Sequence, residues 1–217
     1  YRTFRYVEIE VETGNAPLTL KDVRSDFWAY PFERKATFNV ADPMLSRIWD
    51  VGWRTARLCA TETYMDCPYY EQLQYLGDTR IQALISLYLD GDDRLMRQAI
   101  QQFDDSRIPD GLTGSRFPSY FRQQHPTFSL IWILMIWDYH MLRGDLDFTQ
   151  DFLLGIRNVL TWFEYRIDPT TGLLGKLEWP NYMDAGPGSG PAGSPPGAED
   201  GQSAQISLLY AHALDHA

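Results

Sequence analysis

Apolar and polar residues alternate along Phe4-Arg5-Tyr6-Val7-Glu8-Ile9-Glu10-Val11-Glu12 and break at Thr13-Gly14-Asn15. That period of two predicts a strand with one buried face. A second extended piece over 18–23 is expected to pair with it. Two strands do not make a stable sheet alone, so segment 1–36 reads as the last strands of a preceding β-sandwich. From about Ala41 the period becomes helical. Asp42-Pro43 supplies an N-cap followed by proline at the first helical position. Met44, Leu45, Ile48, Trp49, Gly52, Trp53 and Ala56 then recur at steps of three and four. The same patterning predicts helices over 79–90, 93–104, 126–142, 148–166 and 203–216, which makes the bulk of the chain, 37–217, mainly α.

An internal echo refines this picture. Leu87-Tyr88-Leu89-Asp90-Gly91-Asp92-Asp93-Arg94-Leu95 resembles His140-Met141-Leu142-Arg143-Gly144-Asp145-Leu146-Asp147-Phe148. Each reads as a helix closed by glycine, with aspartate capping the next helix. The repeating unit is helix, tight Gly-Asp turn, helix, long loop. The long loops, 105–125 and 167–202, fall at one end of the hairpins, and the second is rich in Gly and Pro from Ala185 to Gly201. Helical hairpins with long loops at one end imply a solenoid or an (α/α) toroid whose site lies at that end. The third hairpin has a first helix, 203–216, and no second, as expected of a piece of a longer parent chain.

Composition narrows the partners. The 217 residues are 44% hydrophobic and 14% aromatic with a net charge of −10, which excludes a disordered or coiled-coil chain. No Lys/Arg cluster opposes phosphate, so nucleic acid is not an expected partner, nor is an acidic membrane. The longest apolar run, Phe128 to Trp137, is well short of the roughly 18 to 20 residues that span a bilayer. A neutral ligand such as a sugar suits the charge. Cys59 and Cys67 make neither a disulfide scaffold nor a zinc site, and they leave the compartment open, with a periplasmic or secreted location slightly favoured over the cytoplasm. His125, His140, His212 and His216 lack metal-ligand spacing. Ser203 and Ser207 have no nucleophile-elbow context. Gly186-Pro187-Gly188-Ser189-Gly190 follows no strand and so is not a phosphate cradle. No cofactor or metal is implied.

One segment, Glu62 to Arg80, concentrates chemistry. It holds Asp66, Glu71 and Asp78 among Tyr64, Tyr69, Tyr70 and Tyr75. Crowded carboxylates raise one another's pKa, so one can keep its proton and act as a general acid on a glycosidic oxygen. Aromatic rings offer flat faces to a sugar's C–H surface. On pattern alone, Gly77-Asp78 also reads as an N-cap for a helix from Thr79, and Glu71 as a solvated surface acid.

The spacing Asp66-Cys67-Pro68-x-x-Glu71-x-x-x-x-x-Gly77-Asp78 resembles the signature of bacterial α-L-rhamnosidases, glycoside hydrolase family 78. The likeness extends over Phe38 to Trp53, the Gly-Asp hairpins and Trp179 to Asp184. It implies an (α/α)6 catalytic barrel, about half present here, behind β-sandwich domains. It also implies an inverting hydrolase of rhamnose-containing glycosides that needs no cofactor. By the resemblance Glu71 is the general acid, Asp66 and Asp78 hold rhamnose hydroxyls, and Asp184 matches the acid of an Asp-Trp pair. Tyr75 stands where tryptophan is usual, as part of the sugar-facing wall, and Phe128 falls near another wall position. Trp179, on a long loop, is a candidate sugar-stacking ring. Tyr70 replaces an arginine found in many members, and Ala185 replaces a tryptophan. The family's base glutamate lies later than this chain reaches. Glu164, Glu178, Glu199 and Asp200 do not match it, so the 217 residues alone are expected to be inactive. The alternative is a non-catalytic carbohydrate-binding or interaction module on an incomplete toroid.

Overall fold

The computed structural model describes residues 3–184, 189–190 and 193–217. Ala185, Gly186, Pro187 and Gly188, which the sequence singled out, lie outside them. Among the described residues seven helices follow one another: α1 (Pro43–Leu58), α2 (Leu76–Leu89), α3 (Arg94–Asp105), α4 (Pro126–Arg143), α5 (Leu146–Thr149), α6 (Leu153–Glu164) and α7 (Ala204–Asp215). A short 3₁₀ turn, Gln150–Phe152, joins α5 to α6. The architecture is one of successive helical hairpins, as in part of an (α/α) toroid.

Local chemistry sets most of the boundaries. The Asp42 carboxylate accepts the Met44 N–H at 2.8 Å, ahead of Pro43. Gly144 closes α4 with φ +66°, and Asp145 then accepts the Phe148 N–H at 3.1 Å. Only glycine takes that left-handed conformation at little cost. The two Gly-Asp turns also lock to each other: Arg143 pairs with Asp93 at 3.3 Å and donates to the Gly91 carbonyl, and Arg97 pairs with Asp145. The repeated turns thus meet at the end of the molecule opposite the long loops.

Helix α4 is the hub, packing on α2, α3, α6 and α7. Its apolar residues surround it, as expected of a helix buried on all sides. Trp132, fully buried, donates its indole N–H to the Ile100 carbonyl at 3.1 Å and meets Phe152 edge-on. Across α2 and α4, Arg80 grips Asp138 at 2.6 Å.

Three expectations change, one of them the helix over 148–166, which the 3₁₀ turn interrupts so that α6 starts at Leu153. Among the described residues no named strand forms over the amino-terminal segment: Phe4, Tyr6, Val7, Ile9, Val11, Leu18, Leu20 and Val23 are all exposed. The alternation has no partner strand or facing layer, and a strand pair without one gains too little burial to persist. The lead touches the helical part at Thr3, whose hydroxyl donates to the Pro68 carbonyl at 2.5 Å, at Phe27, which lies under Arg57, at Tyr30, whose N–H reaches the Ala60 carbonyl at 2.8 Å, and at Lys35, which pairs with Asp90 at 2.6 Å. Helix α2 begins at Leu76 rather than Thr79, so Asp78 sits inside its first turn and is not the N-cap. The reason is non-local: Leu76 N–H bonds the Ser115 carbonyl at 2.9 Å and Phe117 N–H bonds Gln74 at 3.1 Å, which fixes the start from another loop.

Candidate active site

The connections before α2, α4 and α7 converge at one rim. Residues 74–76 pair with 115–117, centred on the Tyr75–Arg116 bridge. His125 Nδ1 lies 3.1 Å from the Pro180 carbonyl, and the Thr127 hydroxyl donates to the Tyr182 carbonyl. These bonds draw the segment carrying Asp184 onto the amino-terminal end of α4, beside the amino-terminal end of α2.

Asp78 reports what gathers there. Asp78 is exposed as a residue, yet its carboxyl is held above the ordinary range, first by partial desolvation. Its own backbone N–H opposes the rise, while the charges of Asp66, Asp184 and Glu71 add to it. Tyr182 senses the same field. Burial raises its phenol first, followed by Asp184, to which it donates a 3.2 Å hydrogen bond, then Asp78 and Glu71. Four acids therefore share one neighbourhood.

Each acid is held by its own local device. Asp66 Oδ1 accepts the Leu73 N–H at 3.0 Å, and Asp66 N–H returns to the Leu73 carbonyl at 2.9 Å. Between them the chain makes a tight turn. Gln72 has φ +56°, unusual for a side-chain-bearing residue, and its amide donates to the Pro68 carbonyl at 2.8 Å. Glu71 N–H donates to Cys67 Sγ at 3.3 Å. The exposed Glu71 carboxylate accepts the Tyr75 hydroxyl at 2.5 Å, and Arg116 donates to that same phenol oxygen at 2.9 Å. Burial is the first cause of the raised Tyr75 pKa, and its bond to Glu71 the second.

The aromatic candidates separate. Phe128 is only 3% exposed and lies beneath the first turn of α2, where a Cβ on Gly77 would meet its ring at 3.4 Å. It meets Tyr182 edge-on, with ring centroids 5.8 Å apart. Phe128 thus backs the rim from below, with Tyr182 as its neighbour nearer the acids. Tyr70 is 87% exposed, edge-on to Tyr69, and Trp179 is 37% exposed just before Pro180. Neither makes a hydrogen bond or ring contact with the acids among the described residues. Asp66, Glu71, Asp78, Asp184 and Tyr75 come together.

Arg116 and Tyr182 join them without having been singled out in the sequence. The signal for Tyr182 was its place two residues before Asp184. Arg116 had none, because its position depends on a pairing between loops. His125, packed against Phe128 and Tyr182, has its pKa lowered by burial above all and serves to anchor the 180–182 segment. Among the described residues no three His, Cys, Asp or Glu side chains are placed to hold a metal ion. Clustered carboxylates with phenols between them are suited to gripping hydroxyls and to moving a proton.

Comparison with known proteins gives this rim a context. The bacterial alpha-L-rhamnosidase 6 hairpin glycosidase domain, as a family model, matches residues 33–210. A rhamnosidase of family GH78 from Bacillus sp. GL1 superposes with a TM-score of 0.77 at 26% identity, covering 87% of this chain and 19% of its own. A rhamnosidase from Klebsiella oxytoca, solved with rhamnose bound, gives a TM-score of 0.69 at 20% identity, over 82% of this chain and 33% of its own. An α-L-rhamnosidase from Dictyoglumus thermophilum gives 0.63 at 13% identity, over 80% and 19%. The last two share the fold. A search of curated proteins found no match. The chain spans between a fifth and a third of the length of these structures. With most of its length, helical hairpins and acid-bearing rim included, inside the family match, this chain belongs to the bacterial α-L-rhamnosidase six-hairpin glycosidase family.

Proposed function

We propose that the protein, in its full-length form, hydrolyses terminal α-L-rhamnosyl linkages, or those of a related deoxy sugar, with inversion at the anomeric carbon. Glu71 is the general acid that protonates the leaving oxygen. Asp66, Asp78 and Asp184 hold the sugar's hydroxyls, Tyr75 and Tyr182 form the near wall, and Tyr70 and Trp179 meet the more distant parts of the substrate. An inverting reaction needs a second carboxylate about 6.5 to 9.5 Å from the acid, with room for water between. None of the acids in this chain is assigned that role, so the base comes from outside these 217 residues, which alone are inert. The bound sugar in the Klebsiella oxytoca relative supports a rhamnose ligand.

The observation that carries the reading is the gathering of Asp66, Glu71 and Asp184 around Asp78, whose pKa burial and their charges raise. A solvated face of a structural helix gives no reason for Asp184 to join the three acids of the 66–78 segment. The test is hydrolysis of an aryl α-L-rhamnoside followed by proton NMR. β-L-rhamnose as the first-formed sugar supports the reading. First-formed α-L-rhamnose, or binding without turnover by the full-length protein, contradicts it, the latter in favour of a carbohydrate-binding module.

A further inference from the structure

The bonds around Glu71 have a direction that its distances alone do not show. Arg116 can only donate, since a guanidinium has no acceptor. Its Nη1 lies 2.9 Å from the Tyr75 hydroxyl, so that oxygen is an acceptor there. A phenol carries one proton, which is then left for the other neighbour, Glu71 Oε2, at 2.5 Å. The polarity of the chain is therefore Arg116 to Tyr75 to Glu71.

The cation is firmly placed. Arg116 sits in the bridge with Tyr75, flanked by the 2.9 Å bond from Leu76 to Ser115 and the 3.1 Å bond from Phe117 to Gln74. Its guanidinium also lies 5.7 Å from the centre of the Tyr75 ring. Its Nε is buried without a hydrogen-bond partner, so nothing else claims that edge of the group. Glu71, by contrast, stands exposed beside the positive-φ turn at Gln72. Its carboxylate depends on the phenol for its orientation.

We propose that Arg116 and Tyr75 are positioning residues that commit Glu71 Oε2 to accepting a hydrogen bond, leaving Oε1 as the oxygen that carries the catalytic proton. This rests on the reading of Glu71 as the general acid. In the reaction the Oε1 proton passes to the glycosidic oxygen. The bond from that oxygen to the anomeric carbon breaks, and its electron pair stays with the aglycone. Water attacks the anomeric carbon and gives its proton to the base. Glu71 is left as a carboxylate with Oε2 still bonded to Tyr75. A carboxylic acid free to turn would place its proton on either oxygen, and only one faces the leaving group.

The test compares two substrates of the full-length protein, a phenyl and a 2,4-dinitrophenyl α-L-rhamnoside. The first needs its leaving oxygen protonated and the second does not. Tyr75→Phe and Arg116→Met are expected to lower kcat/KM for the phenyl substrate about 10- to 100-fold, the scale of a misplaced catalytic group. The loss for the dinitrophenyl substrate is expected to be at least about tenfold smaller than for the phenyl one, and Arg116→Lys, which keeps a donor, is expected to recover part of the loss. Equal losses on both substrates mean a structural role and overturn the proposal, as does no loss on either. Glu71→Gln is the control. If it spares the phenyl substrate, the functional reading itself falls. If it shows the leaving-group dependence and the other two variants do not, only the positioning role falls. Should Arg116→Met fail to fold, Tyr75→Phe decides alone, since it keeps the ring.

Discussion

Asp66 holds two roles that a pair of substitutions can separate. Its Oδ1 caps the Leu73 N–H at 3.0 Å and closes the 66–73 turn that carries Glu71, while its charge faces the rim. Asp66→Ala removes the acceptor and leaves a half-buried N–H unpaired. Losing a hydrogen bond to a charged acceptor costs about 1 to 2 kcal/mol in such a setting. For a domain of this size that corresponds to a fall in Tm of roughly 2 to 8 °C. Asp66→Asn presents a carbonyl oxygen at the same place and is expected to stay within about 0.5 kcal/mol of the parent. If Asp66 grips a sugar hydroxyl as proposed, both variants lose that charged contact, worth about 1.5 to 3 kcal/mol, or roughly a 10- to 100-fold weaker Kd for rhamnose. Calorimetric unfolding gives the first comparison and isothermal titration the second. If Asn destabilises as much as Ala, Asp66 is a structural residue alone. If Asn binds rhamnose as the parent does, its place in the sugar site is refuted.

Asp78 titrates high in the folded state, so the unfolded chain releases that proton at lower pH. Stability therefore falls as pH rises from the ordinary value of 3.8 through the folded one, and the penalty persists at neutral pH. Asp78→Asn is expected to raise Tm at pH 7 and to lose that gain as pH drops below about 4, while weakening sugar binding. A gain that stays constant with pH contradicts the desolvated-acid account. Thr127→Val removes the hydroxyl that holds the Tyr182 carbonyl. It is expected to cost about 1 to 2 kcal/mol of stability and to raise KM. An unchanged KM would mean that the 180–184 segment needs no such anchor.

The helical core was legible because its signals are local. Asp42-Pro43, Gly144-Asp145 and Ser203 mark ends that a few neighbouring residues determine. The start of α2 was not, since Ser115 sets it from a different loop. The expected helix over 148–166 is broken by the 3₁₀ turn, where Thr149 Oγ1 bonds back to the Asp145 carbonyl at 3.1 Å and competes with the helical ladder. The alternation over 4–12 promised a strand, but alternation only marks a face that could be buried, and nothing here covers it. Within the rim, Asp66, Glu71 and Asp78 could be found from one short stretch of sequence. Asp184 needed the family resemblance. Arg116 and Tyr182 needed the folded loops, because a residue's nearness across forty or more positions leaves no mark on its own neighbours in the chain.

The most direct measurement is the pair of numbers obtained from Glu71→Gln in the full-length protein: turnover of an aryl α-L-rhamnoside with a poor leaving group, and rhamnose affinity. Turnover lost with affinity preserved is the predicted result. Turnover kept, or both lost together with the fold, contradicts the assignment of Glu71 as the acid.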